Sequence, residues 1–177
     1  MRGRRLIFGL ITTSIYLISV AWLVAAAHAQ TPPENSLKKI LQNYFKSPFS
    51  QEYKTTRYYP VFANLESSQP RQVIVYVTGP HWCGTGGCTL VILTPTPSGY
   101  QVISQTIGVQ LPVQILTTMT AGWHDISVAS QEGPRFLPFN GRRYPINAYS
   151  FPSRHFSGDT PGEVVISPAA KGVPLYD

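Results

Sequence analysis

The residues able to do chemistry cluster in two short stretches. One is His81-Trp82-Cys83-Gly84-Thr85-Gly86-Gly87-Cys88; the other is Gly122-Trp123-His124-Asp125. The only two cysteines of the chain stand in the first, in a C-x4-C spacing. Outside the cytoplasm, two thiols this close join in a disulfide, so Cys83–Cys88 is the expected pair. The three glycines between them let the chain turn tightly enough to close it. A redox role is not expected, because C-x4-C lacks the C-x-x-C geometry at a helix start that tunes a thiol pKa. A metal centre from His81, Cys83, Cys88 and His124 would need both thiols reduced and all four side chains convergent. No metal and no cofactor are expected, and no C-x-x-C-H is present for haem attachment.

His81, Trp82, Trp123, His124 and Asp125 are the candidate binding residues. If the two turns that carry them lie at the same end of a sheet, they form an aromatic patch with polar edges, suited to recognition. The competing expectation places both tryptophans under loops as core plugs and leaves His124-Asp125 as a surface pair. Catalysis is poorly supported, and no catalytic residue is assigned. After Glu66 the acids of the expected sheet region are Asp125 and Glu132. A glycosidase needs two carboxylates across one cleft. No G-x-S-x-G elbow exists, and a disulfide removes the cysteine nucleophile. A hydrolase built on His124, Asp125 and an unidentified serine is the alternative.

The elements that must position these residues begin after an export signal. Residues 1–29 open with Met1-Arg2-Gly3-Arg4-Arg5, continue as an apolar run from Leu6 to Ala27, and end in Ala27-His28-Ala29. A basic start, an apolar middle and small residues at the cleavage positions make a secretory signal peptide. The apolar run, at roughly 20 residues, is also long enough for a retained anchor. Any membrane association is expected through that uncleaved segment alone. No cysteine follows Ala29 to carry a lipid, and the twin arginines lack the rest of a twin-arginine motif.

Cleavage leaves residues 30–177. Three of the 14 basic residues (Arg2, Arg4, Arg5) go with the signal, so eleven remain against eight acidic ones. They are scattered, with only Lys38-Lys39 and Arg142-Arg143 adjacent. Nucleic-acid binders concentrate charge on one face, so no nucleic acid is expected. A chain of this length buries roughly two-thirds of its surface in one domain without staples. Few charges, frequent Pro and abundant Tyr, Phe, Val, Ile and Thr make a β composition with short strands and many turns.

The expected fold is mainly β (α+β), an antiparallel β-meander or sandwich with one N-terminal helix, over residues 30–147. Leu37, Ile40, Leu41, Tyr44 and Phe45 recur at helical spacing after the capping pair Asn35-Ser36, and Pro48 stops the helix. Strands are expected at Tyr59–Leu65, Gln72–Thr78, Thr89–Thr94, Tyr100–Ile107, Pro112–Thr118 and Asp125–Ala129. A last hairpin, Arg135–Phe139 with Arg143–Ile146, turns at Asn140-Gly141. Gln72–Thr78 is apolar enough to be central, with Val73, Val75 and Val77 on one face and Ile74 and Tyr76 on the other. The disulfide loop falls at the tip of the hairpin that follows. Residues 148–177, rich in Pro, Ser and Gly, are expected to be an irregular or disordered tail.

Three patterns carry a resemblance. They are Val75-Tyr76-Val77-Thr78-Gly79-Pro80-His81-Trp82-Cys83-Gly84-Thr85-Gly86-Gly87-Cys88-Thr89-Leu90, then Gly122-Trp123-His124-Asp125-Ile126-Ser127-Val128, then Phe139-Asn140-Gly141-Arg142-Arg143-Tyr144-Pro145. In this order, over residues 58–147, the chain resembles a family of small exported bacterial proteins of uncharacterised function. The Asp-rich turn that such proteins often carry before the central strand is replaced here by Asn64-Leu65-Glu66-Ser67-Ser68-Gln69-Pro70, which lacks the acidic ligands of a calcium-like site. The resemblance implies export and a β-meander, and no activity.

The sequence thus points to a periplasmic or secreted β domain, a non-enzymatic binding or inhibitor module acting through its disulfide loop. The partner is an extracytoplasmic protein or glycan of unknown identity. Alternatives are a cell-envelope hydrolase and a purely structural envelope protein.

Overall fold

Side-chain alternation in one short segment organises the molecule. In the computed structural model, which describes residues 34–46, 52–151 and 161–176, strand β2 (Gln72–Thr78) is buried from Gln72 to Val77. Val73, Val75 and Val77 enter one hydrophobic cluster, and Ile74 and Tyr76 enter another. Both faces of the strand are therefore covered, as its continuous apolar run demands. The signal segment, residues 30–33 and Pro48 lie outside the described residues.

Helix α1 (Glu34–Tyr44) covers the valine face. It buries Leu37, Leu41 and Phe45, four residues apart, against Val73, Val75, Val91 and Leu93. It starts at Glu34, ahead of the expected Asn35-Ser36 cap. The N–H groups of a first turn have no intrahelical partner in any case, so these two residues fit inside it.

The strands run as an antiparallel meander: β1 (Arg57–Ala63), β2, β3 (Cys88–Thr96), β4 (Gly99–Thr120), β5 (Trp123–Ala129) and β6 (Arg135–Leu137). The two strands expected at 100–107 and 112–118 are one strand of 22 residues, β4. Its first half pairs with β3, its second half with β5. Gly108 (φ 75°) and Pro112, which read as a strand break, instead mark the bend. Leu111 and Pro112 fall where the register shifts between Gln110 and Val113, so the missing proline N–H costs no ladder bond. The bend lays β5 and β6 over the isoleucine face of β2 and β3, where Ile74, Leu90, Ile92, Val113, Ile126, Val128 and Leu137 form the larger core.

Two further expectations are corrected. Residues 143–146 do not pair as a strand with 135–139. Asn140 and Gly141 do make a turn, with the Asn140 N–H bonded to the Arg143 carbonyl. The chain then leaves β6 and lies along β4, where Ser104, Thr106 and Ile107 bond the backbone of Tyr144, Pro145 and Ile146. The C-terminal stretch, expected to be irregular, supplies two strands. β7 (Gly162–Ile166) pairs with the outer edge of the second half of β4, and β8 (Val173–Pro174) pairs with β1. Ile166 and Leu175 are buried, one in each core. The apolar runs that carry them, Val164-Val165-Ile166 and Val173-Pro174-Leu175-Tyr176, are short and set between Pro and Gly, which hides them from a periodicity argument.

Replacing Ile74 by Ala or Leu41 by Ala should each lower stability by about 2–5 kcal/mol, because each empties a filled site in a different core. Urea unfolding measures this. A loss under about 1 kcal/mol for Leu41→Ala would show that the helix is not integral to the domain.

Candidate functional site

The disulfide loop joins β2 to β3 at the tip of the central hairpin, with Cys83 bonded to Cys88. Hydrogen bonds already order its interior. The N–H groups of Trp82 and Cys83 bond to the Gly79 carbonyl, and Gly84 and Gly87 exchange N–H···O bonds at 2.8 and 3.1 Å. Gly87 has φ 126°, and a Cβ on it would sit 2.3 Å from the Val109 carbonyl oxygen, so only glycine fits against the bend of β4.

A tyrosine locks the loop from outside. Asn147 caps the short turn Ala148–Ser150, its side chain accepting from the Tyr149 N–H. The Tyr149 ring then lies on two glycines, and a Cβ on Gly86 or Gly108 would come within 3.1 Å of it. Its hydroxyl donates to the Gly86 carbonyl at 3.2 Å. The Arg135 guanidinium lies over the same ring, 4.6 Å from the centroid. Arg135 is itself buried, paired with Glu132 and bonded to Ser130 and to the Phe151 carbonyl. A groove of about 350 Å³ runs between the loop, Ile107, Asn147 and Tyr149.

The five sequence candidates do not converge. Trp82 packs its ring 4.3 Å from Phe45 and donates its indole N–H to Thr56 Oγ1, on the helix side of the sheet. Trp123 stacks on Phe139 at 4.5 Å against the opposite core. The loop carrying Trp82 is at the Thr78 end of β2. The His124 N–H bonds the Leu65 carbonyl, in the β1–β2 connection at the other end. Seven residues of strand, at about 3.3 Å each, separate the two ends by roughly 20 Å. Both tryptophans are thus core plugs. His81 alone of the five is exposed beside the loop groove.

His124 and Asp125 also part company. Successive residues of β5 point to opposite faces. The His124 Nδ1 is 2.7 Å from the Leu116 carbonyl, so the position an orienting carboxylate would take is filled by backbone, and the ring lines a separate cleft of about 550 Å³ between β1 and β7. Asp125 is buried beside Tyr144, and its Oδ1 has no hydrogen-bond partner among the described residues. The dyad a hydrolase would need from these two residues is not formed.

Sequence reasoning missed Ile107, Ile146 and Tyr149, the exposed apolar side chains around the loop. Nothing local pairs Tyr149 with a glycine 63 positions away. Comparison of the chain with protein-family models, with curated proteins and with solved structures finds no match.

Burial, with the Asp125 carboxylate nearby, pushes the Tyr144 phenol well above the ordinary tyrosine value of 10.0. A raised folded pKa contributes stability that is complete below pH 10 and is lost as pH climbs above it. Tyr144→Phe should cost about 1 kcal/mol at pH 7, from the lost hydrogen bond to the His124 carbonyl. It should also flatten the fall in stability above pH 10. Parallel pH profiles for the two proteins, by chemical denaturation from pH 8 to 11.5, would contradict this.

Proposed function

We propose that the chain is an exported binding module whose recognition face is the disulfide-loop end of the sheet. The observation that carries this reading is the locking of an apolar face by Tyr149. Ile107 and Ile146, 45% and 53% exposed, flank a loop that is crosslinked, hydrogen-bonded inside and clamped outside. Exposed apolar side chains gathered on a rigid frame are what a partner covers; such patches mark interaction sites. Rigidity ahead of binding lowers the ordering cost of association. A disulfide fits an oxidising compartment, and the basic-apolar-small pattern of residues 1–29 supports export with cleavage after Ala29. His81 stays in the proposed face, Trp82 lines the groove beside it, and Trp123, at the other end of the sheet, takes no part in it.

The test is capture from periplasmic and secreted fractions by the purified protein, beside an Ile107→Asp, Tyr149→Ser variant checked for unaltered thermal unfolding. Components held by the native face should be lost from the variant by at least tenfold. Equal retention by both would overturn the assignment of the face.

Replacing Cys83 and Cys88 together by Ser should leave the domain folded. So short a loop contributes about 2 kcal/mol, against a typical total of 5–15 kcal/mol. Binding through the face should weaken nonetheless. Unfolding at room temperature would show that the bond holds the fold, and unchanged capture would show that the loop takes no part in recognition.

A further inference from the structure

The cleft that His124 lines is at the end of the sheet away from the disulfide loop and takes no part in the recognition face. It holds about 550 Å³, within the range of small-molecule sites, and opens between the edges of β1 and β7. Strand register places its floor. Glu163 of β7 stands opposite Ile115 of β4, and Ile115 stands opposite Ile126 of β5. Directly opposed residues share a face, and so do residues two apart on one strand. Glu163, Ile115 and His124 therefore point to the same side, where Ile115 and Val165 pack against the larger core.

Three polar groups surround this apolar floor without meeting one another. On the β1 wall, the Arg71 guanidinium donates through Nη2 to the Phe62 carbonyl at 2.8 Å, which leaves its other N–H groups to a further acceptor. On the β7 wall stands the Glu163 carboxylate. No ion pair joins either of them to another described residue. In the floor, His124 carries a proton on Nδ1, since the Leu116 carbonyl can only accept. In the neutral ring Nε2 is then an acceptor. An inward charge on an edge strand such as β7 also hinders pairing with a second chain. That role calls for no counter-charge on the facing wall and no oriented imidazole.

We propose that this cleft binds a short peptide with both ends free and apolar side chains, its carboxylate on Arg71 and its ammonium on Glu163 and His124 Nε2. Charge selects this class. An anion alone would meet Arg71 and face Glu163, and a cation alone would meet Glu163 and face Arg71. The low-dielectric walls of a cleft strengthen both effects. A neutral sugar would leave both charges unmatched over an aliphatic floor. A zwitterion satisfies the two together. A free amino acid carries both charges on one carbon, whereas Arg71 and Glu163 stand on opposite walls, so the ligand needs a peptide unit or more between its ends. The two acceptors take N–H donors, which a primary ammonium has and a quaternary one lacks. Val61, Ile115 and Val165 offer apolar surface to its side chains.

Isothermal titration of the protein with trileucine tests this. Binding should be saturable and one to one. N-acetylation and C-amidation of the peptide should each weaken it by at least about fivefold. Glu163→Gln should abolish the difference between free and acetylated peptide, and Arg71→Gln the difference between free and amidated peptide. Both residues are exposed, so neither change should disturb folding. The Ile107→Asp, Tyr149→Ser variant should bind trileucine as the native protein does, and loss of binding there would move the peptide to the loop face and overturn the site. Undiminished binding of either blocked peptide would overturn the zwitterion, as would tighter binding of hexanoate, hexylamine or phosphoethanolamine. Absence of saturable binding would overturn the proposal outright, and the recognition face at the loop would still be decided by its own capture experiment.

Discussion

The bend of β4 between Gly108 and Pro112 is the constraint on which the other elements depend. One strand serves both halves of the sheet, so the turn in its backbone sets how the second half lies over the first. The same residues receive the disulfide loop. Val109 pairs with Cys88, its carbonyl excludes any side chain on Gly87, and Gly108 accepts the Tyr149 ring. A Cβ at either glycine would push against backbone or an aromatic ring, so three contacts would shift together. The larger core, the loop and the face around it are therefore geometrically one unit, although they come from residues 84–87, 107–113 and 144–149.

Burial explains why the residues that looked most suited to recognition are structural. Trp82, in the loop after β2, and Trp123, the first residue of β5, each pack against the edge of one core. Large aromatic surfaces gain most from covering such edges, with the indole N–H of Trp82 satisfied by Thr56. Asp125 is the exception to this economy of contacts. Its Oδ1 is buried with no partner among the described residues, next to the Tyr144 phenol. Burying an unsatisfied carboxylate oxygen is unfavourable. The phenol is held neutral beside it, since a phenolate there would face a second negative charge in a site with little water.

Much of the fold was legible because local signals agreed with global ones. Gln72–Thr78 alternates Val against Ile and Tyr, and the structure assigns the two sets to the two cores. The helix declared itself through Leu37, Leu41 and Phe45. Three features were not legible, for one shared reason: each depends on a partner distant in sequence. Gly108 and Pro112 read as punctuation, yet they bend a strand whose two halves find different neighbours. Asn140-Gly141 reads as a hairpin turn, and the turn forms. The strand after it lies along β4 instead, because Ser104 and Thr106 offer bonding partners there. Ile166 and Leu175 sit in apolar runs too short, and too closely flanked by Pro and Gly, to declare a strand, so their burial depends on edges of β4 and β1 that no local pattern reveals. The candidate site followed the same rule. The disulfide was readable from spacing and compartment, while Ile107, Ile146 and Tyr149 come together only through the fold.

The C-terminal stretch links these two kinds of structure. Leu175 fills the core beneath α1, and the Gln42 side chain donates to its carbonyl at 2.8 Å. Arg57, at the start of β1, bonds the Gly172 carbonyl through two nitrogens. The helix and the last strand thus hold each other against the valine face of the sheet. That arrangement fixes the end of α1, and with it Tyr44, whose hydroxyl donates to the Gln105 side chain at 2.7 Å. Tyr44 then stands as one wall of a groove along β4. A core residue two positions from the end of the chain in this way supports a surface feature on the opposite side of the helix. Side chains left half exposed there, among them Ile107 and Ile146, gain only part of what their apolar character could contribute to folding. Covering that area would be worth about 25 cal/mol for each Å² removed from water, which is the gain the proposed recognition face offers a partner.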